Sequence, residues 1–382
     1  MDYVKDKEHV PGEGILAAIR DSGFSLDRLA DRYPELDILK DVPQNPQYHS
    51  EGDVYRHTGL VCGEVLKLEE WAGLTEKEQE LLFLSAAFHD IGKPACTKKE
   101  NGTWTSPGHT IVGEQVFRAM AYRGQKRFGL TWEDRETVAK LVRYHGLPVW
   151  FLRKRRPEFD LLKAAESVPL KLLYLLSAAD TRGRRSREPE NLSEYVELFG
   201  EQARELGVWE RAFPFANSYT RYQYFHGDSL WEGSRLYDET DFDVYMMAGL
   251  PLAGKDTWIR EHGGGLPVIS LDQIREEYRI SPEKNSSKVV QIATKRAREL
   301  LRKKQPFIWN ATNLIQENRE RLCSLLAAYG ARIHLVYLEV PYEEMLSRNQ
   351  KRERYIPVKV LESMVDKMEM PALWETHFWE RH

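Results

Sequence analysis

The sequence predicts a chain of two domains, in which an all-α domain precedes an α/β domain with a parallel sheet. Its 382 residues are long enough for two domains. Apolar residues recur at helical spacing from Val54 to about Leu206. Further on, short apolar runs alternate with amphipathic helices, which is typical of a parallel sheet covered on both faces. We therefore assign residues 1–206 to the first domain, 207–240 to an interdomain linker and 241–382 to the second.

The composition is that of an ordinary soluble globular protein, with 42% hydrophobic and 30% charged residues. A formal charge of -4 gives no overall signature of nucleic-acid binding, so basic contacts must be local. The three cysteines are scattered, which fits a reducing compartment and argues against a thiolate metal site. The N-terminal segment is charged, and no stretch approaches the ~20 apolar residues that span a bilayer. We expect a cytoplasmic protein that makes no membrane contact.

The motif that organises the second domain is VYMMAGLPLAGKDT, residues Val244–Thr257. An apolar strand leads into Gly249, and four spacers later come Gly254 and Lys255. Glycines at these positions let backbone N–H groups close around phosphates, while the lysine reaches the β- and γ-phosphates. The motif predicts a site for ATP or another nucleoside triphosphate with Mg²⁺, in which Thr257 is a further phosphate ligand.

The residue after the lysine departs from the usual motif. Ser or Thr normally binds Mg²⁺ there through its hydroxyl, whereas this chain has Asp256. Two interpretations of Asp256 are open. It either holds the metal, directly or through water, or it is a carboxylate in the first helical turn that the helix dipole favours.

The segments after this loop alternate between strands and helices. Strands are predicted at 266–271, 306–309 and 332–340, and helices at 288–304, 316–329 and 342–351. Ligands of such sheets bind at the carboxyl ends of the strands, which is where Lys255, Asp272 and Asn310 fall.

Phosphoryl transfer also needs a base for the acceptor hydroxyl and cations for the developing charge. Asp272 is the candidate base, the alternative being a helix N-cap. Arg275, three residues on, is placed to bind a phosphate of the acceptor. Arg348 and Arg352, with Arg354 in the same segment, are candidates for a lid that contacts the nucleotide; the alternative is a solvated helix face.

This set of residues resembles the 5′-OH polynucleotide kinases of the phage type. The shared features are a loop that ends in GK-x-T-W, an Asp and an Arg spaced by three after the second strand, and an arginine-bearing lid. The resemblance covers about residues 241–370 and implies transfer of a γ-phosphate to a 5′-hydroxyl.

In the first half, residues 1–50 suggest short helices to which we assign no chemistry. The run LLFLSAAF then predicts a buried helix that ends in His89-Asp90, a costly place for polar groups that nothing satisfies. Further His and Asp residues occur at helix ends or on apolar helices: His57, His109, His145 and Asp180. Imidazole with carboxylate suits Mn, Fe, Co, Ni or Zn, and paired ions suit phosphoester hydrolysis.

The order H…HD…H…H…D, with the flanking words AAFHDIGKP, GHTIVGEQV and SAAD, resembles the HD-domain phosphohydrolases over residues 50–185. The resemblance implies that His57, His89, Asp90 and Asp180 hold one metal, and that His109 and His145 complete a second. It also implies that Lys93, in DIGK, contacts phosphate.

Together the two halves resemble the bacterial HD-Pnk end-healing enzymes. This implies a 2′,3′-phosphohydrolase joined to a 5′-hydroxyl kinase, acting on RNA or DNA ends upstream of a ligase. Two alternatives stay open: a nucleotide phosphohydrolase fused to a small-molecule kinase, and a hydrolase regulated by an ATP-binding domain.

Overall fold

The computed structural model describes residues 14–186, 191–227, 230–281 and 286–382. Contacts divide the chain into two compact units, Met1–Phe213 and Pro214–His382. Across these ranges, we find no helix that combines the length and the apolar character needed to span a membrane.

The first unit is helical. Its α-helices are α1 Ile15–Asp21, α2 Leu26–Arg32, α3 Val54–Val65, α4 Glu76–Phe88, α5 Lys93–Cys96, α6 His109–Arg123, α7 Gln125–Phe128, α8 Trp132–Tyr144, α9 Leu147–Trp150, α10 Pro157–Ala165, α11 Leu170–Gly183 and α12 Leu192–Glu205. Short 3-10 helices lie at Pro34–Leu39, Trp71–Gly73 and Phe151–Arg153. The predicted buried helix is α4, which begins with a capping box between Thr75 and Glu78.

One hairpin interrupts the helices, although the helical pattern was expected to continue throughout. Its strands are β1 Lys98–Glu100 and β2 Thr103–Thr105, paired antiparallel. Asn101 and Gly102 form the turn, and both have positive φ angles, 48° and 83°. Asn-Gly is the pair that a tight hairpin favours, so the sequence did contain a signal for this element.

The second unit is an α/β domain. Its strands are β3 Phe242–Ala248, β4 Val268–Ser270, β5 Phe307–Asn310, β6 Ala331–Tyr337 and β7 Phe378–Arg381. Its helices are α13 Ser218–His226, α14 Lys255–His262, α15 Leu271–Glu277, α16 Ser286–Arg302, α17 Gln316–Ala327, α18 Tyr342–Gln350 and α19 Val358–Asp366, with a 3-10 helix at Leu373–Glu375. The strands form one sheet in the order β4-β5-β3-β6-β7, and every pairing is parallel.

The sheet places the carboxyl ends of β3, β4 and β5 side by side at its centre and one edge. β3 is buried over most of its length, and α14 follows it after a six-residue loop, residues 249–254. Met247, Trp258 and Ile308 belong to the core cluster that packs this helix on the sheet. The predicted strands and helices of this domain are present, whereas α19 and β7 had no prediction.

The segment 207–240, which we expected to be a linker, contains structure. Residues up to Phe213 lie in the first unit, and α13 lies in the second. Tyr222 and Phe225 of α13 are buried, with Tyr222 stacked on His377 at 4.4 Å between ring centroids. Tyr222 and Phe225 therefore belong to the core of the α/β unit, whereas Trp231 and Tyr237 of the same segment are exposed.

Candidate active sites

The six predicted ligands of the first unit are brought together around Asp90. His57 lies on α3, and His109 is the first residue of α6. His89 and His145 cap the carboxyl ends of α4 and α8, and Asp180 lies near the end of α11. Among these ligands all but His109 are buried.

The nitrogen atoms of these histidines surround Asp90 at distances set by the helices. Asp90 Oδ2 lies 3.2 Å from His89 Nε2 and 3.9 Å from His57 Nε2. Its other oxygen, Oδ1, lies 3.5 Å from His109 Nε2 and 3.9 Å from His145 Nε2. Asp90 therefore stands between two groups of possible metal ligands, and Asp180 Oδ1 joins the first group at 3.0 Å from His57 Nε2.

Three of the histidines share one backbone contact that fixes their rings. In His89, His109 and His145 the Nδ1 atom is bonded to the carbonyl oxygen three residues earlier, at 2.7 to 2.8 Å. This contact turns each Nε2 toward Asp90. A backbone carbonyl on the far ring nitrogen is the usual support of a metal-binding histidine.

Two observations test whether these residues fit a divalent metal. His89 Nε2 and Asp90 Oδ1 are buried and have no hydrogen-bond partner among the described residues, although buried polar atoms usually have one. Burial also lowers the pKa of His109, and it lowers the pKa of His145 to about 3, so both are neutral at pH 7. The pKa of His89 is raised instead, because the neighbouring Asp90 carboxylate outweighs the effect of burial. Two neutral imidazoles beside an ionised carboxylate are donors that such a metal binds.

Asp90 keeps its negative charge despite its burial. Burial would raise the pKa of this carboxyl group, but the Lys93 ammonium and the neighbouring histidines hold the pKa of Asp90 well below its usual range. Lys93 is buried at the start of α5, with Nζ 2.6 Å from Asp90 Oδ2 and donating to Gln44 Oε1 at 2.7 Å. Lys93 is therefore part of the site, and its contact with phosphate stays a prediction.

The loop before α3 contributes residues that the sequence analysis missed. Gln44 meets Lys93, and Glu51 Oε1 lies 2.9 Å from His57 Nδ1 and 2.8 Å from His49 Nδ1. Gln44 and His49 lie in the segment 1–50, to which the sequence analysis assigns no chemistry, and Glu51 follows it directly. The sequence does contain the pattern His49-x-Glu51 shortly before Asp53, the N-cap of α3. Nothing in the spacing of this pattern indicates a contact with His57.

In the second unit, the predicted phosphate loop joins β3 to α14. Gly249 has a φ of 130°, and a Cβ there would lie 2.2 Å from Leu338 O, so only glycine fits. Gly254, with a φ of 106°, is the N-cap of α14, whose first residue is Lys255. The Lys255 ammonium donates to Gly249 O at 3.0 Å and to Leu250 O at 2.7 Å. It thus lies over the loop where phosphates are expected.

The other predicted residues of this site lie around the same loop. Asp256, in the first turn of α14, accepts a hydrogen bond from Asn310 at the end of β5. Asp272 is in the first turn of α15, whose N-cap is Ser270, so the N-cap alternative for Asp272 does not hold. The charges of Asp256, Asp272 and Arg352 all act on Lys255, and its burial lowers the pKa of Lys255 to about 8. Thr257 is exposed beside them.

The predicted arginines make specific contacts. Arg348, in the last turn of α18, donates to Leu252 O within the phosphate loop at 2.8 Å. Arg354 pairs with Glu276 of α15, and so reaches from the proposed lid to the helix that bears Asp272. Arg275 donates to Ser281 O at 3.3 Å. Their roles toward nucleotide and acceptor stay predictions.

Comparison with known protein families agrees with this division of the chain. Residues 54–180 match the model of the HD domain, and residues 244–371 match the model of the AAA domain. The chain joins a helical HD domain to an α/β P-loop domain. This is the predicted fold class. The two family matches support an enzyme with the elements of a phosphohydrolase and of a P-loop kinase. The HD domain carries a His/Asp cluster of the kind that binds divalent metals.

Several curated proteins are similar to parts of the chain. The Multifunctional CCA protein of Methylococcus capsulatus is 30% identical over 218 residues, which are 56% of this chain and 43% of that protein. The protein of the same name from Nitrosospira multiformis is 29% identical over 181 residues, 47% of this chain and 35% of the relative. The L-seryl-tRNA(Sec) kinase of Methanococcus maripaludis is 24% identical over 136 residues, 34% of this chain and 53% of the relative. The chain thus spans about half or less of the length of these relatives.

Proposed function

We propose that this chain heals broken nucleic-acid ends. In this proposal the HD domain removes a 2′,3′-cyclic phosphate or a 2′- or 3′-phosphate, and the P-loop domain phosphorylates a 5′-hydroxyl. The observation that carries the proposal is the presence, in one chain, of a buried His/Asp cluster suited to phosphoester hydrolysis and a phosphate loop suited to phosphoryl transfer. A strand break with a 3′-phosphate and a 5′-hydroxyl needs both reactions before a ligase can seal it.

The names of the relatives support a substrate that contains RNA. The kinase from Methanococcus maripaludis is, by its name, a kinase of L-seryl-tRNA. We extend from it only the class of acceptor, a hydroxyl group on an RNA-bound substrate. Whether the ends are RNA or DNA is decided by experiment.

In the HD domain, the residues of the chain would hold metal ions, orient the histidine rings and neutralise the charge of a substrate phosphate. Asp90, Asp180 and the four histidines would hold one or two divalent metals such as Mn, Co, Ni, Fe or Zn, which supply an activated water and charge for phosphoester cleavage. Lys93 is next to Asp90 and would compensate the added negative charge of a substrate phosphate. The backbone carbonyl groups that contact Nδ1 of His89, His109 and His145 keep the Nε2 atoms of these rings facing Asp90.

In the P-loop domain, the nucleotide would be held by the backbone of residues 249–254, by Lys255 and by Thr257, with Mg²⁺ neutralising the phosphates. Asp272 would accept the proton of the 5′-hydroxyl. This carboxylate is exposed on α15 and close enough to Lys255 for its charge to act there. Arg348, with Arg352, would stabilise the transferring phosphoryl group from the far side of the loop, and Arg275 would bind a phosphate of the acceptor.

A single oligonucleotide tests both halves of the proposal. An RNA 10-mer with a 5′-hydroxyl and a 2′,3′-cyclic phosphate is incubated with Mn²⁺, Mg²⁺ and γ-labelled ATP, and both of its ends are mapped. We expect a labelled 5′-end and a free 3′-hydroxyl. Asp272→Asn should lower the rate of 5′-labelling about 10²-fold or more while the 3′-phosphate is still removed. Asp90→Asn should keep the 5′-labelling and lose the removal of the 3′-phosphate. If neither end changes with the wild-type protein, the proposal fails.

One observation favours a second candidate, a hydrolase that is regulated by a nucleotide-binding domain. Position 256 is an Asp where Ser or Thr is usual, and Lys255 is satisfied by carbonyl oxygens of its own loop. This candidate predicts hydrolysis rates that depend on ATP without any transferred phosphate. The choice of acceptor distinguishes a small-molecule kinase from the proposed end-healing kinase. A small-molecule kinase would label a free nucleoside and leave the oligonucleotide unlabelled.

A further inference from the structure

The residue pair that usually holds Mg²⁺ beside a phosphate loop has an unusual composition here. In P-loop proteins, the hydroxyl after the loop lysine and an acidic residue on a neighbouring strand hold the metal together. In this chain the position after Lys255 is Asp256, and β5, one of the two strands paired with β3, ends in Asn310. The acidic side chain is therefore on the loop side, and the neutral polar side chain is on the strand.

The two side chains are in direct contact. Asn310 Nδ2 donates to Asp256 Oδ1 at 2.7 Å. Asn310 is buried at the carboxyl end of β5, whereas Asp256 is exposed in the first turn of α14, on the side of the phosphate loop. The amide therefore engages one carboxylate oxygen and fixes the direction in which the carboxylate faces.

Position and the proposed role of Asp272 point to Asp256 as the carboxylate for the metal. Asp256 follows Lys255 directly in the first turn of α14, whereas Asp272 is in the first turn of α15. In the proposed reaction Asp272 serves the acceptor hydroxyl, so Asp256 is the carboxylate on the nucleotide side. Mg²⁺ in nucleotide sites is typically bound through one or two carboxylates together with phosphate oxygens and water.

We propose that Asp256 is the carboxylate ligand of the nucleotide-bound Mg²⁺ and that Asn310 positions it. The pair keeps one negative charge, as in the usual arrangement, but carries it on the loop side. The proposal rests on the proposed binding of an Mg²⁺–nucleotide complex, and it does not depend on which acceptor receives the phosphate.

A purely structural reading of the same contact makes different predictions. If the hydrogen bond only ties α14 to β5, then an amide at position 256 should preserve metal binding, because Asn can still accept from Asn310. If Asp256 is a ligand, the charge is what matters. Asp256→Asn should then weaken metal binding even when the fold and the nucleotide contacts are unchanged.

The test uses Mn²⁺ as the probe, because free Mn²⁺ is measured directly by electron paramagnetic resonance. Mn²⁺ is titrated into the full chain with a non-hydrolysable ATP analogue, and the binding to the HD domain is subtracted with a titration that lacks the analogue. We expect Asp256→Asn to weaken the nucleotide-dependent Mn²⁺ binding about tenfold or more. Affinity for the analogue in EDTA should be unchanged.

The exchange variant gives the matched control. Asp256→Asn combined with Asn310→Asp restores one carboxylate and one amide with their positions reversed, and should recover most of the lost Mn²⁺ affinity. Asn310→Asp alone adds a second carboxylate, and should keep or strengthen Mn²⁺ binding while lowering the melting temperature in EDTA through like-charge repulsion.

Two results would overturn the inference. One is an Asp256→Asn protein that binds Mn²⁺ with the analogue as tightly as the wild type. The other is an exchange variant that recovers none of the Mn²⁺ affinity lost in Asp256→Asn. A wild-type protein that binds no analogue would overturn this inference together with the kinase proposal. Binding of Mn²⁺ and analogue as expected, with no phosphate transferred, would overturn the kinase proposal alone.

Discussion

His57 Nδ1 lies 2.9 Å from Glu51 Oε1, while Nε2 of the same ring lies 3.0 Å from Asp180 Oδ1. One imidazole thus joins a predicted metal ligand to a buried carboxylate that is outside the predicted ligand set. Glu51 also accepts from the backbone N–H of Arg185 at 3.1 Å, so both of its oxygens are engaged. The loop before α3 is therefore held against the end of α11 by the same side chain that contacts His57.

Glu51→Gln should weaken metal binding by the HD domain about 10- to 100-fold, because outer carboxylates orient and polarise the histidines that ligate metals. The amide cannot offer two acceptor oxygens to His57 and Arg185. Retention of Mn²⁺ against a chelator, measured without nucleotide, checks the prediction. The control is Glu69→Gln, since Glu69 is exposed in the same unit. Equal retention by both variants would show that Glu51 only holds the loop.

Lys255 should take up a proton when nucleotide binds at mildly alkaline pH. In the nucleotide-free protein burial lowers the pKa of Lys255 to about 8, and nearby phosphates favour the charged form and raise it again. Binding should therefore take up about 0.7 proton near about pH 8.5 and much less near about pH 7, and nucleotide affinity should fall as the pH rises above about 8.

Calorimetry of Mg²⁺–ADP binding in two buffers that differ in ionisation enthalpy measures this uptake. Lys255→Arg is the matched control, because a guanidinium stays protonated over this range. The prediction is contradicted if the uptake is the same at both pH values, or if it persists in the arginine variant.

The sequence was enough to predict the residues that motifs bring together. The strand that ends in Gly249 and the helix that begins at Lys255 are both where the motif puts them, since glycine geometry and helix capping are local properties. The cluster around Asp90 was predictable from the order of its blocks, each of which lies on a helix or directly after one.

Contacts from loops and from distant segments could not be predicted in this way. Glu51 and Gln44 reach the HD site from a segment whose path depends on tertiary contacts, such as the bond from Ser50 N to Arg185 O at 2.8 Å. The strand β7, Phe378–Arg381, lacks a clear alternation of apolar residues, and it exists because β6 offers it an edge.

Arg319 is an example of such a tertiary contact in the P-loop domain, and its removal should be costly. Its guanidinium donates to both oxygens of Glu375 at 2.6 and 3.0 Å, and also to Asn313 O at 3.0 Å; both side chains of the ion pair are 1% exposed. Arg319→Met leaves the carboxylate buried without its cation, which should lower the free energy of unfolding of this domain by about 3–5 kcal/mol.

Urea unfolding checks this, with the transition of the P-loop domain identified as the one that Mg²⁺–ATP shifts. Arg321→Met, two residues on and exposed, is the control. Replacing both members of the pair by methionine should recover much of the loss, because no buried charge is then left unpaired. A full loss in the double variant would mean that the bonds to backbone carbonyls, rather than the ion pair, stabilise the domain.

Arg348 should act on phosphoryl transfer more than on nucleotide binding. Its guanidinium donates to Leu252 O at 2.8 Å and lies 2.5 Å from Glu344 Oε1, one turn back on α18, so it is held at the rim of the phosphate loop. A cation at this position stabilises charge that develops in the transition state. Arg348→Ala should therefore lower the single-turnover rate of transfer to a 5′-hydroxyl about 10²- to 10³-fold, with the Kd for ATP changed by about threefold or less.

Arg348→Lys should recover only part of the rate, because an ammonium lacks the planar fork. Arg321→Ala is the matched control, since Arg321 is also exposed and paired with a glutamate four residues earlier, Glu317. If the affinity for ATP falls while the single-turnover rate at saturating ATP is unchanged, Arg348 contributes to binding alone.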